Sequence, residues 1–432
     1  MNKRLKKQRM ALFFALVFTA AALFSSCAAP EEEPENIITP GVKEETIFVA
    51  SDLHLYSENL LGPDNERCTK ENMSSDGRIQ ECDYELVSVL IDAVNEDKPE
   101  YLILTGDLSY NGERDSHVEL ARLLSGIEET KVLVIPGNHD MYSLSAFSAL
   151  EDKTTRIRGI DMDNFREIYT DFGYTGAYSY DEDSLSYIYE ISDDIWALML
   201  DTTLSEYNEE NDLNIVGGYI DESTMAWLEE HLNYAKEHDI SVISFSHHNL
   251  LVHSELFQLT HTINNYEELL DLYSEYDVNL NLSGHLHIQS IAEATVDEDK
   301  IYDVSSGSLL DYGNRYGRLD IYDNCYSYES CLVDFEDRDY AFQTFYDKYY
   351  AKIVKKYQNI LGEEQGAAVT ALLSEINTYY FDGSYEKIHA LAEENKKLIK
   401  LIKKNTAEYE TSYIKSIIEV ENKDQHRLIV ER

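Results

Sequence analysis

Ile47-Phe48-Val49-Ala50-Ser51-Asp52-Leu53-His54 decides how this chain is read: four apolar, β-prone residues run straight into a pair of metal-ligating side chains. The same join recurs along the chain. Residues 101–104 lead to Thr105-Gly106-Asp107, residues 132–135 to Pro136-Gly137-Asn138-His139-Asp140, residues 242–245 to Ser246-His247-His248-Asn249, and residues 278–282 to Ser283-Gly284-His285-Leu286-His287. Short apolar runs of this kind predict strands, and open α/β sheets gather their sites at strand ends.

Working outward, further strand-like runs lie at residues 195–200 and 301–304 and in the antiparallel-looking pair 318–322 and 326–333. Amphipathic stretches at 84–96, 117–124, 222–237 and 266–276 alternate with them. An α/β domain with a layered mixed sheet is therefore predicted over residues 45–335. After residue 336 the strand signals mostly stop, and no proline follows Pro136. Phe342, Phe345, Tyr349, Ile353, Tyr357 and Ile360 recur at helical spacing. Further helices fit 365–380, 384–404 and 407–419, with Asp382-Gly383 as a turn. Residues 336–432 read as a C-terminal α-helical domain, in which His389 and His426 stand alone and carry no chemistry.

The 432 residues are 43% apolar, enough for a sizeable core, and 36 basic against 82 acidic side chains give a net charge of minus 46. The first thirty residues carry five basic and no acidic side chains, and residues 336–432 carry 15 basic and 17 acidic, which leaves minus 49 on residues 31–335. A field of that sign repels polyanions, so neither a nucleic-acid polymer nor an anionic surface is expected as a partner unless metal ions invert the local charge. A small phosphate ester held by divalent metals is compatible, and solubility explains most of the carboxylates.

At the N-terminus, residues 1–9 are basic, residues 11–24 are apolar, and Ser25 and Ser26 precede Cys27. This is the layout of an export signal, and its fourteen-residue apolar run, interrupted only by Thr19, falls short of the roughly 20 residues that span a bilayer. Phe24-Ser25-Ser26-Cys27 resembles a bacterial lipoprotein processing site, with Phe24 where such sites usually carry Leu. That resemblance implies a signal peptide over 1–27, a lipid anchor at Cys27 and an extracytoplasmic, membrane-attached protein; an ordinary cleaved signal is the alternative. Residues 28–44, with Glu31, Glu32, Glu33 and Glu35 among three prolines, read as a disordered tether. Of the other cysteines, the short-range pairing would join Cys68 to Cys82 and Cys325 to Cys331; free half-buried thiols are the other reading.

Carboxylate and imidazole suit first-row metals such as Mn, Fe, Zn or Ni, and no cysteine lies in the strand-end motifs. In Asp52-x-His54 and His285-x-His287 the chain turns just past a strand, so the two side chains of each pair can converge. Gly106, Gly137 and Gly284 precede Asp107, Asn138 and His285, where a tight loop needs close backbone approach or positive φ.

The ordered motifs D-x-H, G-D, G-N-H-D, H and G-H-x-H resemble those of the calcineurin-like metallophosphoesterase superfamily. Within it the chain is most similar to bacterial class III cyclic-nucleotide phosphodiesterases, especially an exported listerial type with a C-terminal helical domain. The resemblance implies a two-sheet β-sandwich flanked by helices and two divalent or trivalent transition metal ions, Mn, Fe or Zn. Asp52, His54, Asp107 and His287 would take the first ion, and Asp107, Asn138, His247 and His285 the second, with Asp107 as the bridge. His139, next to Asn138 but not a ligand in the family, is placed to donate a proton as general acid. The implied reaction is two-metal hydrolysis of a small phosphodiester, with cyclic nucleotides foremost.

In the family the first His of a pair such as His247-His248 is the ligand, which leaves His248 to packing. Tyr110 lies three residues after Asp107, where purple acid phosphatases carry a tyrosinate ligand. Those enzymes lack a His at the position of His54, so Tyr110 is read as structural. His117, His253 and His261 fall outside the motifs and are given structural roles, with His253 as a candidate to line the substrate pocket. Two other readings stay open: a broad phosphomonoesterase, nucleotidase or lipid-headgroup phosphodiesterase, and a catalytically dead cell-surface binding protein.

Overall fold

In β1 (Lys43–Ala50), Ile47 and Val49 face one way and Phe48 and Ala50 the other, and all four are fully buried. A strand buried on both faces needs a covering layer on each side. The computed structural model supplies both, and it describes residues 38–62, 69–73, 77–151, 153–254, 258–405, 408–419 and 423–432. The expected signal peptide, the lipidation site Cys27, Cys68 and most of the tether lie outside these residues. β1 itself begins at Lys43, two residues inside the expected tether.

The remaining strands are β2 (Tyr101–Thr105), β3 (Lys131–Ile135), the two-residue pair β4 (Phe147–Ser148) and β5 (Thr155–Arg156), β6 (Ser179–Tyr180), β7 (Tyr187–Ser192), β8 (Ile195–Leu200), β9 (Ser241–Ser246), β10 (Leu280–Ser283), β11 (Ser290–Val296), β12 (Asp299–Ser305), β13 (Arg315–Tyr322), β14 (Cys325–Leu332) and β15 (Arg427–Glu431). One sheet has the order β15-β14-β13-β1-β2-β3, and the other β11-β12-β10-β9-β8-β7-β6. β1, β2 and β3 are parallel, as are β8, β9, β10 and β12. The strand ends at Ala50, Thr105 and Ile135 therefore share one edge, and those at Ser246 and Ser283 share one edge of the second sheet.

Between the sheets lies a core of Ile47, Val49, Ile103, Leu133 and Ile135 against Ala197, Met199, Ile243, Phe245 and Leu282. The outer face of the first sheet, Phe48, Ala50, Leu102 and Leu104, packs on α1 (Asp83–Asp97) and α2 (Arg114–Leu124). Trp196, Leu198 and Leu200 on the second sheet pack on α3 (Glu222–Glu237) and α4 (Tyr266–Glu275). The result is the expected sandwich with helices on both sides.

The C-terminal helices are α5 (Arg338–Leu361), α6 (Glu363–Phe381), α7 (Tyr385–Glu394), α8 (Lys396–Asn405) and α9 (Glu408–Ile418). The single helix expected over 384–404 is two, because the Asn395 side-chain amide donates to the Leu391 carbonyl (2.9 Å) and ends α7 there. The region is also not purely helical, since β15 returns to pair antiparallel with β14 at the sheet edge. Cys325 and Cys331 are free thiols: they sit six residues apart on β14, about 20 Å along an extended strand, far beyond disulfide reach. Cys82 is likewise free.

Candidate metal centre

The strand-end loops are tied together by their backbones before any side chain is considered. The Asp52 amide donates to Gly106 O (3.1 Å), the His54 amide to Asp107 O (2.9 Å) and the Gly284 amide to His247 O (3.0 Å). Asp52, His54, Asp107, His285 and His287 all have left-handed φ, between 40° and 66°. Non-glycine residues rarely adopt this conformation, and it concentrates at functional sites. The glycines fulfil the sequence expectation. A Cβ on Gly106, itself at φ 92°, would come within 2.6 Å of His247 Nδ1; one on Gly137 would reach 2.2 Å from Asp107, and one on Gly284 1.8 Å from Ser51 Oγ.

All seven expected ligands come together. Ligand atoms of Asp52, His54, Asp107 and His287 lie within 4.8 Å of one another, and those of Asp107, His247 and His285 form a second such group. Asn138 Oδ1 stands 3.1 Å from His247 Nε2 and so joins the second group. Asp107 belongs to both: Oδ2 is 3.7 Å from His54 Nε2, and Oδ1 is 3.4 Å from His247 Nε2.

Three of the four imidazoles are oriented from behind by an acceptor, which fixes the tautomer, while His54 Nδ1 is buried with no hydrogen-bond partner among the described residues. His247 Nδ1 donates to Thr105 O (2.8 Å), leaving Nε2 inward. His287 Nδ1 donates to Asp311 Oδ2 (2.6 Å), which turns Nε2 toward Asp52 Oδ1 (3.2 Å) and His54 Nε2 (3.3 Å). His285 is reversed, its Nε2 donating to Thr260 O (2.9 Å) so that Nδ1 is left for the site.

The donor set fits metal ions. Asp52 Oδ1 is buried with no hydrogen-bond partner among the described residues and faces the His287 and His54 rings at 3.2 and 3.9 Å, a placement that suits a cation between them. The charge balance points the same way. Burial opposes charge on His247, yet Asp107 brings it up to about 9, and against the same penalty Asp52 and Asp311 hold His287 well above the usual imidazole range. Burial also opposes charge on Asp107, but His247 and His139 bring it well below the usual carboxylate range. Burial pushes His54 and His285 well below the usual imidazole range, and the carboxylates that raise His247 and His287 are groups that attract divalent cations.

The residues assigned away from the metals are occupied elsewhere. His248 Nε2 donates to Val216 O (2.9 Å) and its Nδ1 accepts from Thr202 Oγ1 (2.6 Å); burial and neighbouring His247 push its pKa down to about 3. The Tyr110 hydroxyl donates to Met73 O (2.9 Å). His117, fully buried, bridges Tyr169 Oη and Asp140 O (3.0 and 2.9 Å). His253 pairs with Asp303 (3.1 Å) and lines a different cavity from the metal groups, against its candidacy for the substrate pocket.

His139 stands beside the groups, its ring centroid 5.0 Å from that of His54. Its Nδ1 lies 2.9 Å from Tyr110 O and 3.0 Å from Asn111 Oδ1, and its amide donates to Asp107 Oδ1 (2.9 Å).

Residues other than the seven expected ligands also build the site. Asp140 fastens two loops, taking Leu108 and Gly137 amides on Oδ2 (3.0 and 2.8 Å) and the Ser109 amide and hydroxyl on Oδ1 (2.8 and 2.9 Å). A cavity of about 420 Å³ opens onto the metal groups, and Arg78, Val216, His261, Leu286, Ile288 and Phe381 complete its wall. His261, read as structural, thus faces the site. Among the described residues Arg78 is the only lysine or arginine in that lining; its neighbour Gly77 has φ 123° and lies so close to Phe345 of α5 that a Cβ would clash.

The profile of the family described as Calcineurin-like phosphoesterase matches residues 45–289. Among solved structures, a dimetal phosphatase from Danio rerio is similar at 14% identity, covering 68% of this chain and 96% of that one with a TM-score of 0.47. A predicted phosphoesterase from Streptococcus pneumoniae matches at 14% identity over 68% of this chain and 91% of that one, with a TM-score of 0.28. No curated protein matches the chain.

Proposed function

Given that the chain belongs to the calcineurin-like phosphoesterase family, a family of metal-dependent phosphoester hydrolases, we propose that it cleaves small phosphodiesters, cyclic nucleotides foremost. Asp52, His54, Asp107 and His287 would hold one ion and Asp107, Asn138, His247 and His285 the other. Two such ions lower the pKa of water and neutralise the phosphoryl oxygens. The observation that carries this reading is Asp107, which turns one carboxylate oxygen to each ligand group.

The rest falls to the chain's own side chains. His139 holds a proton on Nδ1 against Tyr110 O, which aims Nε2 at the cavity; a proton on Nε2 passes to the leaving alkoxide. The Arg78 guanidinium offers planar donors to non-bridging phosphate oxygens. Leu286, Ile288 and Phe381 form the apolar wall against which the organic part of the ester would pack.

No helix among the described residues is long and apolar enough to cross a membrane. We assign attachment to the lipidated Cys27, with the enzyme outside the membrane. That location supports a second reading, a broader phosphomonoesterase, nucleotidase or lipid-headgroup phosphodiesterase.

A substrate panel on manganese-reconstituted protein separates them. Cyclic nucleotides should be hydrolysed faster than nitrophenyl monoesters. Faster monoester turnover would favour the second reading, and no turnover of any ester would leave a binding protein.

A further inference from the structure

Helix α8 reads Lys396-Lys397-Leu398-Ile399-Lys400-Leu401-Ile402-Lys403-Lys404-Asn405, five lysines with no acidic residue. Ile399 and Ile402 are buried in the core of the helical region, while Lys396, Lys397, Lys400 and Lys404 are exposed. Lys396 pairs with Glu393 and Lys403 with Glu419; Lys397, Lys400 and Lys404 have no ion pair among the described residues. Beside the helix runs a groove of about 480 Å³, lined by Lys396, Lys400 and Lys403 together with Glu393 and His389, and by the apolar Ala392, Ile399 and Ile418.

We propose that α8 and this groove form the surface on which the molecule rests against an anionic phospholipid bilayer. The net charge of minus 46 argues against any such contact for the molecule as a whole. Charges are screened over about 8 Å at physiological ionic strength, however, and a helix of ten residues is about 15 Å long. A surface touching α8 meets its five lysines against three nearby acids, Glu393, Glu394 and Glu419, the first and last paired with Lys396 and Lys403, and little of the acid farther away. The apolar side of α8 is already packed inside the protein, so the helix does not insert and the contact is one of lysines with headgroups. Each lysine close to an anionic leaflet strengthens binding about fivefold. The acidic remainder converts this attraction into an orientation, because the other faces are repelled. The contact thus adds a direction to whatever proximity the N-terminal segment provides.

The unit Pro40–Arg432 contains every hydrophobic cluster among the described residues and allows a test free of the apolar N-terminal run. It should co-sediment with vesicles containing phosphatidylglycerol, not with pure phosphatidylcholine, and should be released as salt rises. Replacing Lys397, Lys400 and Lys404 together by Glu should weaken binding roughly 100-fold or more, and replacing them by Gln should weaken it less. Both variants should keep the parent's melting temperature and its hydrolysis of a soluble ester. Failure to bind phosphatidylglycerol vesicles, or equal binding by the Glu variant, overturns the proposal. So does self-association of the unit that the Glu variant abolishes, or binding to soluble polyphosphate with none to vesicles.

Discussion

The sandwich and the C-terminal helices divide the work of the site unequally. The sandwich contributes every expected ligand, five of the seven at left-handed φ, on loops whose backbones bond to one another. The helices contribute no ligand, yet they hold the loop on which two ligands stand. Leu286 and Ile288, which alternate with His285 and His287, are buried in the core built by α5 to α9. The Gln289 amide donates to Phe381 O (3.0 Å), and Arg315 pairs with Asp382 (2.8 Å) at the end of α6. Strained loops persist only where their surroundings over-determine them. Here one region carries the chemistry and the other supplies part of that constraint.

The sharpest way to isolate the sandwich's share is Asp107→Asn. One carboxylate serves both ligand groups, so turnover should vanish in an ester assay, whereas a variant that lost only one group would keep part of it. His139→Ala should lower kcat by about 100-fold or more with metal content by elemental analysis unchanged. Loss of metal without a separate catalytic defect would make His139 a structural residue. Asp311→Asn keeps an acceptor for His287 but removes its charge, and metal affinity by competition with a chelator should fall about 10- to 100-fold.

The share of the helices is tested by Leu286→Ala. Truncating this buried side chain should cost about 2–5 kcal/mol of stability, read by denaturant unfolding, and should also reduce turnover below the melting transition. Full activity in a destabilised variant would mean that the helices are bystanders to the site.

The smallest expected effect concerns Glu113, beside the sandwich loops. Burial pushes its carboxyl up to about 7, against hydrogen bonds from the Asn111 and Phe147 amides. A folded pKa above the unfolded value of about 4.5 gives stability that is full below pH 4.5 and lost as pH rises through 7. Glu113→Gln should flatten that slope, removing roughly 1–3 kcal/mol of the change between mildly acidic and neutral melts.

Strand-end ligands were legible because apolar runs and polar ends are local signals, and the glycines before Asp107, Asn138 and His285 announced backbone contacts that the fold then makes. Asp311 and Arg78 were not legible. Asp311 touches His287 across 24 residues of chain, and nothing in its flanking sequence marks a long-range pairing. Phe381 reaches the cavity only because α6 ends there. β15 was missed for the same reason, since its partner strand lies about a hundred residues earlier. The break at Asn395 had a local cause, but asparagine within a helical pattern does not by itself say whether its side chain turns to solvent or to the backbone.

Anomalous diffraction from crystals of the manganese-reconstituted protein tests the central claim most directly. Two ions are expected, one among Asp52, His54, Asp107 and His287 and one among Asp107, Asn138, His247 and His285, with Asp107 touching both. A single ion, or two ions that do not share Asp107, would contradict it.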